Sequence, residues 1–199
     1  MVSYKKIEII DFLRKEKIAL VDIGLLKSLS GLTNKQSLAS FINSLESYGV
    51  LERAEKGKYL VKDNLGNDFI IANLLYQPSY VSLETILNLC GVLSQFPMEI
   101  TSVTVKRKKE KRVAGKLYVY YHLSPKLFWG FEKKEGSLLA LPEKALLDSI
   151  YLESKGIRKI DISQLDLSLI NKKTFADFAA KFPKSKKMQS KIKKILKKA

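Results

Sequence analysis

The sequence predicts an α+β fold: an N-terminal winged helix-turn-helix followed by a mixed α/β C-terminal domain with a basic helical tail. Three observations predict it. Three stretches of helical periodicity precede a glycine-centred β-hairpin within the first 62 residues. From residue 68 onward, runs rich in Val, Thr and Tyr alternate with stretches that carry helix caps. The segment 181–199 holds nine lysines, no acid and an apolar repeat of helical spacing. A chain of 199 residues is long enough for two domains with real cores. The turn-rich stretch Asp63, Asn64, Gly66 and Asn67 divides them into 1–62 and 68–199.

In the first domain, Ile7, Ile10, Phe12 and Leu13 mark an amphipathic helix from about Ser3, and a second runs from about Val21 to Leu29 before the break Ser30-Gly31-Leu32. Thr33 is positioned to cap a third helix, whose apolar positions Leu38, Phe41, Ile42 and Leu45 fall on one face and which ends near Tyr48 with Gly49 at C′. Val50–Arg53 and Lys58–Val61 around Lys56-Gly57 form the wing.

In the second domain, Phe69–Leu75 is a β-prone run or a short helix, and Ser82–Leu89 is a helix closed by Gly91. Ile100–Val105 and Leu117–His122 are two strands, expected to be joined by a long basic turn containing Gly115. Pro142 opens a helix that ends before Gly156, and Asn171 caps another with Phe175, Phe178, Ala179 and Phe182 inward, stopped by Pro183. No internal repeat is visible.

The net charge of +16 calls for a polyanion or an anionic surface as partner. It is concentrated: residues 106–116 hold seven basic residues against one acid, and 181–199 hold the nine lysines. Uninterrupted apolar runs, such as the few residues around Phe69–Ala72, are far shorter than a membrane span, so a cytoplasmic protein with no membrane partner is expected. The lone Cys90, in the run Ile86, Leu87, Leu89, Cys90, reads as a small buried hydrophobe.

The third helix turns Thr33, Gln36, Ser40, Asn43 and Ser47 away from its apolar face. In a winged helix this element enters the major groove with its N-terminal residues leading. Thr33, Asn34, Lys35, Gln36, Ser37 and Ser40 are therefore candidate double-stranded DNA contacts, with Arg53, Lys56 and Lys58 of the wing directed at phosphates. Lys106, Arg107, Lys108, Lys109, Lys111 and Arg112 are candidate phosphate contacts, or lysines that protect a sheet edge.

In the tail, Met188, Ile192, Ile195 and Leu196 share one face, surrounded by lysines from Lys186 to Lys198. That helix suits nucleic acid, an anionic membrane, a partner groove, or docking on its own domain.

No enzyme is expected. The only histidine, His122, follows Tyr118, Tyr120 and Tyr121 on a strand, where a packed or capping role fits better than catalysis. Metal ligands and glycine-rich phosphate loops are lacking, so no cofactor is expected. Glu143, Lys144 and Asp148 open the helix after Pro142, where carboxylates favour the macrodipole and require no chemistry.

Five blocks in the second domain carry a resemblance: Gln77-Pro78-Ser79-Tyr80-Val81-Ser82-Leu83-Glu84 with Gly91, Ile100-Thr101-Ser102-Val103-Thr104, Tyr118–Leu123, Phe128-Trp129-Gly130, and Ala140-Leu141-Pro142-Glu143-Lys144-Ala145-Leu146-Leu147-Asp148. Over roughly residues 70 to 155 the chain resembles the AbiEi family of antitoxins from type IV toxin–antitoxin (abortive infection) systems of phage defence, which also carry an N-terminal winged helix. The resemblance implies a C-terminal antitoxin domain that counters a nucleotidyltransferase-like toxin without a stable complex. It also implies a repressor of its own operon that binds operator repeats, and it brings no catalytic residue. The lysine-rich end beyond Lys181 lies outside the matching blocks. A winged-helix transcription regulator whose second domain senses a ligand or partner is the alternative, favoured if no nucleotidyltransferase gene adjoins.

Overall fold

The computed structural model describes residues 4–113 and 115–198; Ser3, where the first helix is expected to begin, and the side chain of Lys198 lie outside the described residues. The N-terminal part runs α1 (Tyr4–Lys15), β1 (Leu20–Asp22), α2 (Ile23–Ser30), α3 (Lys35–Ser47), β2 (Leu51–Glu55) and β3 (Lys58–Val61). The three strands form an antiparallel sheet in the order β1-β3-β2, and this succession resembles a winged helix. β1 was not expected: its three residues begin where the second helix was read, and their pairing of Leu20 with Leu60 is a long-range contact that periodicity does not carry.

On α1 the buried residues are Ile9 and Leu13, not the expected Ile7 and Phe12, which are exposed. Five apolar residues within seven positions leave the inward stripe ambiguous, and packing on the small core of Leu26, Ile42, Leu45 and Leu51 decides it. Helix α3 is capped by Asn34 rather than Thr33. Its Oδ1 accepts from the backbone N–H of Gln36 at 2.8 Å and of Ser37 at 3.2 Å. Gly49, at φ +71, ends the helix in the left-handed conformation expected of C′.

The second part is a six-stranded mixed sheet in the order β6-β7-β5-β4-β9-β8. Its elements are α4 (Asp68–Leu75), β4 (Ser79–Val81), α5 (Glu84–Leu89), β5 (Glu99–Thr104), β6 (Lys109–Val113), β7 (Lys116–His122), β8 (Phe131–Lys134), β9 (Ser137–Ala140), α6 (Pro142–Ser154), α7 (Lys172–Ala179) and α8 (Lys186–Lys198). Strands β5 and β7 pair directly but in parallel, Val103 beside Tyr121, so the basic segment between them is not the hairpin turn expected. It contains an edge strand, β6, paired antiparallel with β7. Its strand signal is masked because Lys111 occupies an inward position next to Val113, and a run of charges reads as a loop.

Alternation assigns the two faces of this sheet. Tyr118 and Tyr120 point toward α4, where the Tyr120 hydroxyl donates to the Ala72 carbonyl at 2.7 Å. Tyr80 and Tyr121 point the other way, toward α6 and the segment that follows it. Asn67 caps α4, and Asn64 donates to the carbonyls of Leu13 and Ile18, so the predicted linker is bound at both ends. Leu60 of the wing belongs to the larger core, with Leu20 and Ala54 packed against it. Met188, Ile192 and Ile195 are buried in that core as well, so the lysine-rich tail docks on its own domain. Cys90, expected inside, is exposed, because α5 ends at Leu89 and turns its last residues outward.

The centre of the larger core is polar. Lys144 and Asp148, four residues apart on α6, are both fully buried and form an ion pair. Lys144 Nζ donates to the Tyr80 hydroxyl at 2.8 Å, and Asp148 Oδ2 accepts from the Tyr80 hydroxyl at 3.0 Å and from Ser82 Oγ at 2.9 Å. Burial pushes Lys144 down and Asp148 up, each toward its neutral form, and each opposes the shift of the other. Tyr80 stacks on Phe131, and the Lys144 ammonium lies 5.1 Å from the ring centres of Trp129 and Phe182. Gly130, at φ +75, passes so close that a Cβ there would lie 2.9 Å from Lys144 Cγ. Glu143, read as a macrodipole carboxylate, instead accepts the backbone N–H of Asn171 at 2.9 Å and ties α6 to the start of α7.

Removing one member strands the other without water. Lys144→Met or Asp148→Asn is expected to lower stability by about 3–5 kcal/mol in urea unfolding. Lys144→Met with Asp148→Asn should cost less than the sum of the two single changes.

Candidate nucleic-acid interface

At the N-terminal end of α3, Thr33, Asn34, Lys35, Gln36, Ser37 and Ser40 are all exposed, and the wing presents Arg53 and Lys56 to solvent. Residues 34, 36, 37 and 40 line an open depression of about 520 Å³ that Lys6 of α1 borders. The side-chain oxygen of Asn34 is occupied by capping, which leaves its amide NH2 as the outward group. Gln36 and Ser40 are one helical turn apart and keep both donor and acceptor capacity, the chemistry that base edges require.

The basic segment of the second sheet lies against this wing: β2 contacts β6, and α3 contacts β2. Glu55, the last residue of β2, joins them. It forms ion pairs with Lys58 at 2.9 Å and with Lys111 at 2.7 Å, and Lys109 stands at 3.9 Å. Partial burial alone would raise the Glu55 carboxyl, but hydrogen bonds and charge attraction from Lys111 and Lys58 outweigh it and hold its pKa at about 2. Burial draws Lys111 down while Glu55 opposes that shift. With a pKa of about 2, Glu55 is ionised at neutral pH.

Lys111 is 8% exposed and also donates to the Leu75 carbonyl, so the structure removes it from the candidate phosphate contacts. Lys58 keeps about half of its side chain in solvent but has its charge matched by Glu55. Lys106, Arg107, Lys108, Lys109 and Arg112 are exposed.

The loop that carries the first of these is fixed by its backbone. The Tyr76 hydroxyl donates to the Arg107 carbonyl at 3.2 Å, His122 Nδ1 lies 2.9 Å from the Lys106 carbonyl, and the Lys106 N–H donates to Thr104 Oγ1 at 3.1 Å. His122, for which a packed or capping role is expected, is exposed and holds this loop through the Lys106 carbonyl. The Tyr76 ring is flanked by the ammonium groups of Lys106, Lys109 and Lys111 at about 5.5 Å. Tyr76, Lys106, Arg107, Lys108 and His122 line a second open depression, of about 660 Å³.

Sequence reasoning missed Glu55 and Tyr76. The signal available for Glu55 was a lone acid in the basic turn from Arg53 to Lys58; none marked its partner 56 residues away. Among the described residues no group of three or more His, Cys, Asp or Glu could hold a metal ion, and no helix is long and apolar enough to cross a membrane. No family model matches the chain, and no curated protein matches it.

Since the folded Glu55 carboxyl titrates at about 2 against an ordinary 4.5, its stabilisation is complete above pH 4.5 and is lost as pH falls toward 2. Glu55→Gln should lower stability at neutral pH by about 1–3 kcal/mol. In thermal melts across that acid range, the gap between wild type and variant should close; a constant gap would contradict the pairing.

Proposed function

We propose that the chain is a DNA-binding repressor of its own operon and the antitoxin of a nucleotidyltransferase-like toxin, with the winged helix as the DNA reader. The observation that carries the DNA reading is the open N-terminal end of α3, led by uncharged hydrogen-bonding side chains and joined through the wing to an ordered basic loop. Gln36 and Ser40 read bases, while Arg53, Lys56, Lys106, Arg107 and Lys108 meet phosphates. Support for the antitoxin reading comes from the motif blocks and from their convergence in space. Tyr80, Ser82, Phe128, Trp129, Gly130, Lys144 and Asp148 belong to three of the five blocks and build one cluster around the buried Lys144–Asp148 pair. The resemblance therefore rests on residues that pack together in this chain.

The test uses DNA from immediately upstream of the chain's own reading frame. With about five phosphates neutralised, affinity should fall about 500-fold between roughly 50 and 200 mM salt. Gln36→Ala with Ser40→Ala should erase the preference for that DNA over unrelated duplex, by about 1–3 kcal/mol for each lost base contact. Arg53→Ala with Lys56→Ala should weaken all duplexes alike and flatten the salt slope by about 2. Binding indifferent to salt would sink the DNA reading.

Co-expression with the adjacent reading frame tests the second half. The full chain should restore growth, and so should the Gln36→Ala, Ser40→Ala variant, because neutralisation is assigned to the C-terminal domain. An adjacent gene that is harmless alone would exclude the antitoxin role.

A further inference from the structure

A second cationic region lies along α8 and takes no part in the interface described above. Between one flank of α8 and the C-terminal end of α6 is a cavity of about 860 Å³, with Ile150 and Ile157 as apolar floor and Lys159, Lys186, Lys187 and Lys194 among its walls. An adjoining cavity of about 460 Å³ is lined by Ile160–Ser163 together with Lys191, Lys194 and Lys197. The two share Lys191 and Lys194, so they form one groove along α8 from Lys186 to Lys197. At 1.5 Å per residue that length is about 17 Å. Ile157 is 49% exposed within it. Lys191 is matched by Glu153, whereas the side chains of Lys159, Lys186, Lys187, Lys194 and Lys197 stand in solvent.

Charge and shape narrow the occupant. The apolar stripe of α8 is buried in the core and is not available to enter a lipid surface. The lining residues of both cavities include no aromatic side chain on which a base could stack, and a phosphate backbone has no use for an isoleucine floor. An acidic peptide with aliphatic residues uses both features, and five residues in extended form span about 17 Å.

We propose that this groove binds an acidic, aliphatic-bearing segment of a partner protein in extended conformation, its carboxylates on the α8 lysines and an apolar side chain over Ile157. The inference goes beyond the DNA-binding and antitoxin reading and does not depend on it.

The test is fluorescence anisotropy of the full chain at low salt with three labelled probes: a heptapeptide of alternating Glu and Leu, its Glu/Ser counterpart, and a seven-nucleotide oligothymidylate. The Glu/Leu peptide should bind at least about tenfold more tightly than either comparison. Lys187→Glu with Lys194→Glu should weaken it about tenfold or more, and Ile157→Ser should bring it to the level of the Glu/Ser peptide. These surface variants should bind the upstream DNA as wild type does, so failure of the groove and failure of the DNA reading are separable. The proposal is overturned if the Glu/Leu peptide does not bind, if the charge reversals leave its affinity unchanged, or if leucine confers no advantage. Tighter binding of oligothymidylate with the same lysine dependence would also overturn it, by making the groove a nucleic-acid site. Loss of upstream-DNA binding in the charge-reversed variant would do the same.

Discussion

The Glu55 carboxylate is the constraint on which the arrangement of the molecule depends. β2 is the edge of the small sheet and β6 the edge of the large one, and the two lie against each other. Lys58, Lys109 and Lys111 converge at that seam, and three ammonium groups so close would drive the edges apart without a shared counter-ion. Glu55 supplies it, and burial of Leu60 against the larger core supplies the apolar part of the same junction. The wing is thereby held to the second sheet, and the ordered basic loop is brought to the side of α3, the proposed DNA reader. The lysine that protects a sheet edge and the lysines directed at phosphate are alternatives in the sequence; the fold turns Lys111 inward at the edge and leaves Lys106 and Arg107 in solvent.

A second polar commitment, deep in α6, acts on the fold and not on the interface. Lys144 and Asp148 cost more to desolvate than their attraction returns unless every lone pair is met. Tyr80 and Ser82 of the β4 region meet them, and the aromatic rings of Phe131, Trp129 and Phe182 close over the pair. Such a network rejects neighbouring registers of α6, because a shift of one residue would bury a charge without a partner. It also brings together three of the five blocks, 77–84, 128–130 and 140–148, each of which supplies one wall of a single polar chamber.

The sequence revealed what local chemistry decides. The order of helices and wing, the Gly49 terminus, the Pro142 start and the Asn171 cap follow from spacing and capping, and the structure has them. Tertiary pairing was not legible. β1 is three residues that become a strand only against β3, β6 hides its alternation under charge, and the parallel pairing of β5 with β7 leaves no trace in either strand. At the site, exposure of Gln36 and Ser40 could be read from helical geometry. The removal of Lys111 from the free cations could not, because it depends on a carboxylate 56 residues away.

The large positive charge therefore has no single meaning. Of the 36 basic residues, some are matched internally, by Glu55 at the seam, by Glu84 and Glu99 around Arg158, by Asp148 in the core and by Glu153 beneath α8. Among the others, two regions stand out whose non-ionic chemistry differs. Around α3 and the wing the cations accompany amide and hydroxyl groups, which discriminate among hydrogen-bonding base edges. Along α8 they accompany isoleucines and lack aromatic and amide neighbours among the groove walls, which suits a ligand with aliphatic bulk between its charges. Coulomb attraction alone would draw any polyanion to both regions. The uncharged neighbours separate the ligands, so substitutions at Gln36 and at Ile157, neither of which alters the net charge, distinguish the two regions more sharply than removal of any lysine.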